Sequence, residues 1–280
     1  MFSMNIYLKT GSVMIISVIL ILSLYVISIY PGKKNRKKHK KFLKWKYAHR
    51  GLHNSEKGIW ENTVPAFEAA VENGYGAELD IRLTADGQLA VFHDNELKRM
   101  CGEDIKIADL SMEELKKYKI KNTGSRIPAL EEVLKIFEGK APLIIEIKSS
   151  GKDMEICRKL DSIIAGYNGE YMVESFNPYV VNWYKKNRPD IMRGQLSSDF
   201  LKEKTKENIF LKIIMTNLML NFINKPDFVA YNHVFANNMS LKIFKKIYKG
   251  FTVGWTISSE AEYEKVKNTF DAFIFEEFRP

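Results

Sequence analysis

From Thr10 to Gly32 the chain carries 23 consecutive uncharged residues, most of them Ile, Leu, Val, Ser or Tyr. A helix needs about 20 apolar residues to cross a bilayer, so the run is long enough. It shows no polar face, which argues against a buried helix of a soluble domain. A cleaved signal peptide has a shorter apolar core, about 7–15 residues, and a small-residue cleavage site. Here the run leaves through Tyr25-Val26-Ile27-Ser28-Ile29-Tyr30-Pro31, with no such site. The expectation is a tail over 1–9, an uncleaved transmembrane anchor over 10–32, and a single-pass protein of the cell membrane.

A basic cluster follows at once, with seven Lys or Arg between Lys33 and Lys41, and the stretch 33–46 reads as a basic juxtamembrane linker. Only Lys9 precedes the span. Lys and Arg near a span tend to stay on the cytoplasmic side, so the remaining domain, 47–280, is expected in the cytoplasm. The cluster could also lie against anionic head groups. The first 46 residues hold ten basic and no acidic residues, so the formal net charge of +9 belongs to them and 47–280 is left at −1. A nucleic-acid binder carries its basic patch on the folded domain; no nucleic-acid partner is expected. Two cysteines, Cys101 and Cys157, are too few for a disulfide scaffold or a Cys-based zinc site.

From Tyr47 onward short apolar runs alternate with helical stretches. Strands are expected at Tyr47–Arg50, Ala77–Leu83, Leu89–His93, Pro142–Lys148, Tyr171–Ser175, Ile191–Leu196, Phe228–Tyr231, Thr252–Ile257 and Phe273–Phe275. Helices are expected at Thr63–Asn73, 152–165, Pro178–Asn187, near 239–249 and near 259–268, with a charged helical stretch around Met112–Tyr118. This alternation predicts a parallel sheet with helices outside. The 234 residues from Tyr47 suit a TIM (β/α)8 barrel. A doubly wound sheet would show the same alternation, but no glycine-rich phosphate loop follows any strand.

Two strands carry charge where a parallel sheet should be apolar. Alternation puts Glu78, Asp80 and Arg82 on one face of Ala77–Leu83, and the same spacing puts Glu146 and Lys148 together. Charges in a sheet interior are costly unless paired or bound to metal. Salt bridges at a barrel mouth could explain one such strand; two favour a site. Three carboxylates without Cys or clustered His suit Mg²⁺ or Ca²⁺. His49 and His93, each at a strand end beside a polar residue, fit a general acid and base. His53 and His233 fall outside these patterns and are expected to be bystanders.

In these residues the chain resembles the glycerophosphodiester phosphodiesterases. The likeness lies in AHRG at 48–51, ENTVPAF at 61–67, GAELDIRLTADG at 76–87 and VFHD at 91–94. It continues with IEIK at 145–148, ESFNP at 174–178 and VGWT at 253–256. The resemblance implies a TIM barrel and a divalent metal on Glu78, Asp80 and Glu146. It makes His49 and His93 the acid/base pair, with Arg50 and Lys148 as charges on the phosphate. Glu61 and Asn62 would border the metal and its waters, and Trp255 would wall the substrate pocket.

The implied reaction is metal-dependent hydrolysis of a glycerophosphodiester to glycerol phosphate and an alcohol, through attack of the neighbouring glycerol hydroxyl and a cyclic phosphate. Which histidine acts as base stays open. So does the choice between a small soluble diester and a lysophospholipid, the latter favoured by the anchor; a membrane-tethered barrel that only binds is the non-catalytic alternative. The family's last strand usually ends in an Asp within I-I-T-D-x-P. Here Phe273-Ile274-Phe275-Glu276 leaves open whether Glu276 takes that place. The apolar, Asn-rich segment 205–235 is expected to close the barrel rather than face lipid.

Overall fold

The computed structural model describes residues 2–204 and 208–280, with backbone alone for 2–10 and Asn122. Nine strands form: β1 (Tyr47–Ala48), β2 (Gly76–Leu83), β3 (Leu89–Val91), β4 (Leu143–Ile147), β5 (Tyr171–Ser175), β6 (Arg193–Ser197), β7 (Phe228–Asn232), β8 (Phe251–Ile257) and β9 (Ala272–Phe275). Eight are parallel, in the order β1-β2-β4-β5-β6-β7-β8-β9, and β9 pairs back onto β1, so the sheet closes into the expected (β/α)8 barrel.

The ninth departs from the expectation. β3 runs antiparallel to β2, with Ile81 opposite Val91, and stands outside the closed ring. The turn between them, Ala85-Asp86-Gly87, has Gly87 at φ 71°, a conformation that costs glycine little. The excursion from β3 to Ala129 has its own small core, in which Phe92, Leu97, Met100, Met112 and Leu115 pack together.

Most outer helices appear near their expected places, among them Val64–Glu72, Glu155–Ile164, Pro178–Asn187 and Glu260–Val266. The stretch at Met112 is shorter, ending at Leu115. A helix absent from the sequence reading, Leu130–Phe137, buries Leu130, Val133, Leu134 and Phe137 at the i, i+3, i+4, i+7 spacing of one face. β1 is shorter than expected because Arg50 and Gly51 both take positive φ, 53° and 82°. A Cβ on Gly51 would lie 2.8 Å from the carbonyl carbon of Ala66. That glycine lets the catalytic-side loop turn tightly against the Val64–Glu72 helix.

Inside the barrel the layers differ. At the N-terminal ends of the strands, Tyr47, Ile144, Met172, Phe228 and Phe251 pack together, and Phe42 joins the same cluster from below. Residues 33–46 pack along this floor: Asn35 Nδ2 donates to Asp227 Oδ2 at 2.9 Å and to the Pro189 carbonyl at 3.1 Å, and Lys41 pairs with Glu170. Toward the C-terminal ends the interior turns polar. In TIM barrels that is the end where chemistry sits.

The N-terminal helix, Phe2–Ser28, is long and apolar enough to cross a membrane. Residues 11–24 are exposed, whereas Ser28 and Ile29 are buried against the barrel. Its last turn is docked rather than tethered. Tyr25 Oη and Ser240 Oγ are 2.6 Å apart, Tyr248 Oη donates to the Val26 carbonyl at 2.8 Å, and Gly32 N donates to the Pro226 carbonyl at 2.8 Å.

Candidate active site

The β2 and β4 registers align Asp80 with Glu146, and strand alternation sends Glu78 to the same interior face. One carboxylate oxygen from each lies within 4.8 Å of the others, and all three residues are buried. Burial, then the charges of Asp80 and Glu146, raises the Glu78 carboxyl well above its ordinary range. Burial also raises Glu146, to about 7, against the pull of Lys148. For Asp80 burial is outweighed by Lys148 and Arg50, which hold it low. Buried carboxylates crowded this way are short of positive charge.

The cations present are placed for part of that deficit. Lys148 Nζ lies 3.0 Å from Asp80 Oδ1 and 2.7 Å from Glu146 Oε1. Arg50 approaches Asp80 Oδ2 at 3.3 Å through Nε, and its backbone N–H donates to Glu78 Oε2 at 3.1 Å. Asn62 Nδ2 donates to Asp80 Oδ2 at 2.9 Å. The donor set is hard and oxygen-only, and Glu78 and Glu146 are raised by burial beside each other and Asp80, so Glu78, Asp80 and Glu146 fit a divalent cation such as Mg²⁺ or Ca²⁺.

A fourth carboxylate went unassigned in the sequence. Glu174 on β5 sits opposite Glu146, is buried, and is raised by that burial and by the Glu146 charge. It lies within ESFNP, and the alternation of Tyr171–Ser175 was the available signal.

The two histidines are held alike. His49 Nδ1 is 2.6 Å from Glu276 Oε2, and His93 Nδ1 is 2.6 Å from Asp94 Oδ1. Each ring is therefore anchored through Nδ1 and offers Nε2 to the site; His49 Nε2 is 3.9 Å from Glu78 Oε2. Burial lowers both imidazoles, which favours the neutral ring a base needs. Glu276, left open in the sequence, is thus the partner of His49. Burial opposes its ionisation, but hydrogen bonds with His49 and His53 outweigh that and hold its carboxyl well below the usual range. His53, expected to be a bystander, has Nε2 3.7 Å from the same oxygen and shares this carboxylate. His49, His53 and Glu276 also come within 4.8 Å as possible metal ligands; the 2.6 Å contact between His49 and Glu276 is that of a direct hydrogen bond.

Glu61 does not join the carboxylate cluster. It accepts from Arg50 NH1 at 2.7 Å and from Arg99 NH1 and NH2 at 2.9 and 2.7 Å. Burial notwithstanding, Arg99 and Arg50 hold it at about 2. Arg99 Nε also donates to Asp94 Oδ2 at 2.6 Å. A continuous line of charge therefore runs from His93 through Asp94, Arg99, Glu61 and Arg50 to Asp80. Arg82 adds to it by donating from Nε to the His93 carbonyl at 2.8 Å. Arg99 sits outside the motifs, on the excursion after β3. Trp255, half-buried on β8, packs edge-on to Phe176 at 5.6 Å and forms an aromatic wall.

Residues 49–272 match the sequence profile of the glycerophosphoryl diester phosphodiesterase family. A glycerophosphodiester phosphodiesterase of Caldanaerobacter subterraneus is 39% identical over 160 residues, 53% of this chain and 65% of that protein. Lysophospholipase D GDPD1 of Rattus norvegicus is 26% identical over 275 residues, 86% of this chain and 85% of the relative. Among solved structures, a glycerophosphodiester phosphodiesterase of Thermotoga maritima superposes with a TM-score of 0.63 at 26% identity, over 82% of this chain and 92% of that one. An Oleispira antarctica phosphodiesterase in complex with the product sn-glycerol-3-phosphate gives 0.68 at 22%, over 84% and 94%, a likeness of fold.

Proposed function

This chain belongs to the glycerophosphoryl diester phosphodiesterase family, and from that membership we propose that it hydrolyses glycerophosphodiesters to glycerol phosphate and an alcohol at the Glu78–Asp80–Glu146 mouth, with His49 and His93 as the acid/base pair. The observation that carries this reading is the pairing of a buried oxygen-only cluster with two imidazoles, each anchored at Nδ1 by a carboxylate.

Glu78, Asp80 and Glu146 would hold Mg²⁺ or Ca²⁺, which would supply Lewis-acid stabilisation of the charge on the phosphoryl oxygens. Arg50 and Lys148 stand beside those carboxylates as fixed positive charge for the phosphate. The glycerol hydroxyl next to the phosphate attacks phosphorus, and its proton passes to Nε2 of one imidazole. The bond from phosphorus to the alcohol oxygen breaks, and that oxygen takes a proton from the other imidazole. Water then opens the cyclic phosphate with the two roles exchanged. Glu276 and Asp94 keep the rings turned for both steps, Asn62 orients Asp80, and Trp255 with Phe176 walls the pocket.

The N-terminal helix is read as a single-pass membrane anchor with the barrel on the cytoplasmic side, because seven Lys or Arg follow the span and Lys9 alone precedes it. A lysophospholipid is the second substrate reading. It is favoured by the docked apolar helix and by the relative named lysophospholipase D. Product analysis with glycerophosphocholine and lysophosphatidylcholine, each with and without chelator, tests the proposal. Release of glycerol phosphate that stops with chelator is expected; full turnover in chelator would overturn the metal assignment, and no turnover of either diester would overturn the activity.

A further inference from the structure

The way the N-terminal helix is docked dictates which end of the barrel meets the membrane. Gly32 is bound at the start of β7, on the floor, through the Pro226 carbonyl. Seven residues earlier, Tyr25 is bound to Ser240, at the start of the helix that follows β7. Chain leaving β7 emerges at the catalytic end, so the helix runs down the barrel wall from mouth to floor. The carbonyl of the next residue, Val26, accepts from Tyr248 near the far end of the helix that follows β7, so the chain climbs the wall in the direction of the mouth from Gly32 to Tyr25, and residues 11–24 leave the barrel on that course.

The length of that projection is the second observation. Lys9 is the first charge, and Thr10–Leu24 gives 15 uncharged residues, about 22 Å of helix at 1.5 Å per residue. The hydrocarbon core is about 30 Å thick. With Lys9 at the far head groups, about 20 residues reach Ile29, which is buried against the barrel. Spanning the core therefore uses residues up to or past Tyr25, which draws the near face of the bilayer against the barrel.

The rim carries the apolar surface such a position calls for. The segment expected to close the barrel divides in two. β7 does close it, but the Ile209–Thr216 helix packs against the loops after β4, β5 and β6 at the mouth, with Ile209, Phe210 and Ile213 exposed, Phe210 at 73%. Val234 and Met239, beside Ser240, are 69% and 62% exposed. Behind Phe210 an apolar groove of about 490 Å³ passes between Leu211, Met215, Phe200 and Phe176 to Ser149, next to Lys148.

We propose that the catalytic mouth of this chain is seated on the bilayer, with Ile209, Phe210, Ile213, Val234 and Met239 entering the lipid interface, so that the active site takes diesters from the membrane plane. The proposal rests on the anchor reading and adds to it a defined orientation.

The test uses the full chain in phosphatidylcholine–phosphatidylglycerol vesicles, with nitroxide labels at Phe210→Cys, at Val234→Cys and, as a reference near the floor, at Ile247→Cys. Cys101 is replaced by Ser, and Cys157 is buried and stays. Labels at 210 and 234 should collide at least several-fold more with oxygen than with an aqueous nickel chelate, and the label at 247 should show the reverse. Chelate access at 210 and 234 equal to that at 247 would overturn the seated mouth. Alkaline carbonate extraction reads the anchor separately: retention with a wet rim sinks the orientation alone, and extraction with a wet rim sinks both.

Discussion

Glu276 Oε2 lies 2.6 Å from His49 Nδ1, so the residue just past β9, the strand that closes the barrel on β1, orients the imidazole just past β1. A carboxylate there holds the imidazole in one tautomer and steadies it when charged, as in other oriented histidines. Glu276→Ala should lower kcat by about 10²-fold or more, with His49→Ala and His93→Ala in the range of about 10²–10⁴. Glu276→Asp should recover part of the loss. His53→Ala should shift the acidic limb of the pH–rate profile without a loss of that size. Equal losses for the four alanine variants in folded protein would remove the distinction.

Arg99 makes a prediction that no motif contained. It ties Glu61 to Asp94, which itself holds His93 Nδ1. Hydrogen bonds to charged groups contribute about 1.5–3 kcal/mol, and about 1.4 kcal/mol is tenfold in rate. Arg99→Ala should reduce kcat by about tenfold or more while leaving divalent-ion affinity within about twofold. Arg99→Lys should not restore it, since an ammonium cannot span both carboxylates in the fork geometry. Isothermal titration with Mg²⁺ and Ca²⁺ beside steady-state rates checks both halves.

Metal removal should be visible in stability as well as turnover. A ligand that binds only the folded state stabilises by about 2.7 kcal/mol at a hundred times its Kd. Mg²⁺ or Ca²⁺ should therefore raise the melting temperature of chelator-treated protein by several degrees. Asp80→Asn should abolish that rise and most of the activity while the circular dichroism stays native.

Glu174 sets a pH dependence. Its folded carboxyl titrates well above the unfolded value of about 4.5, because it is buried beside Glu146. The cost of keeping it ionised is absent below the unfolded value and grows as pH rises toward the folded one. Each unit of difference is worth about 1.4 kcal/mol. Glu174→Gln should raise the melting temperature of metal-free protein at pH 8 by several degrees and change it little at pH 4.5. An equal shift at both pH values would show that the carboxylate is not strained.

The native thiols give a control for membrane orientation. Burial raises Cys101 to about 11, helped by Glu103, and Cys157 to about 12. Both should react slowly with an impermeant maleimide at pH 7 in folded protein, whichever side the barrel occupies, and readily after denaturation. Protease shaving of intact cells decides the side: survival of the barrel is expected for the cytoplasmic reading, and release of it places the barrel outside.

Much of this site was readable because strand alternation is a strict rule. Glu78 with Asp80, and Glu146 with Lys148, could point nowhere but to one face each. The same rule applied to Glu174, inside the expected strand Tyr171–Ser175, but a single carboxylate there has no second charged residue at i±2 to mark its face. The hairpin of β2 and β3 carried its mark in Asp86-Gly87, yet a period-2 run reads the same whether its neighbour is parallel or antiparallel. Arg99 was illegible for a different reason. It is one of 43 basic residues, and only the fold of the excursion after β3 brings it to Glu61 and Asp94. The docking of Tyr25 and Gly32 is likewise long-range, with partners some 200 residues away.

β1 is two residues long and bonds on one side to β2 and on the other to β9. During synthesis, then, the ring stays open until the last of its strands has left the ribosome. Until that moment the carboxylates of β2, β4 and β5 stand in an unclosed sheet, and His49 lacks Glu276. The candidate site is thus completed only when a single two-residue seam closes.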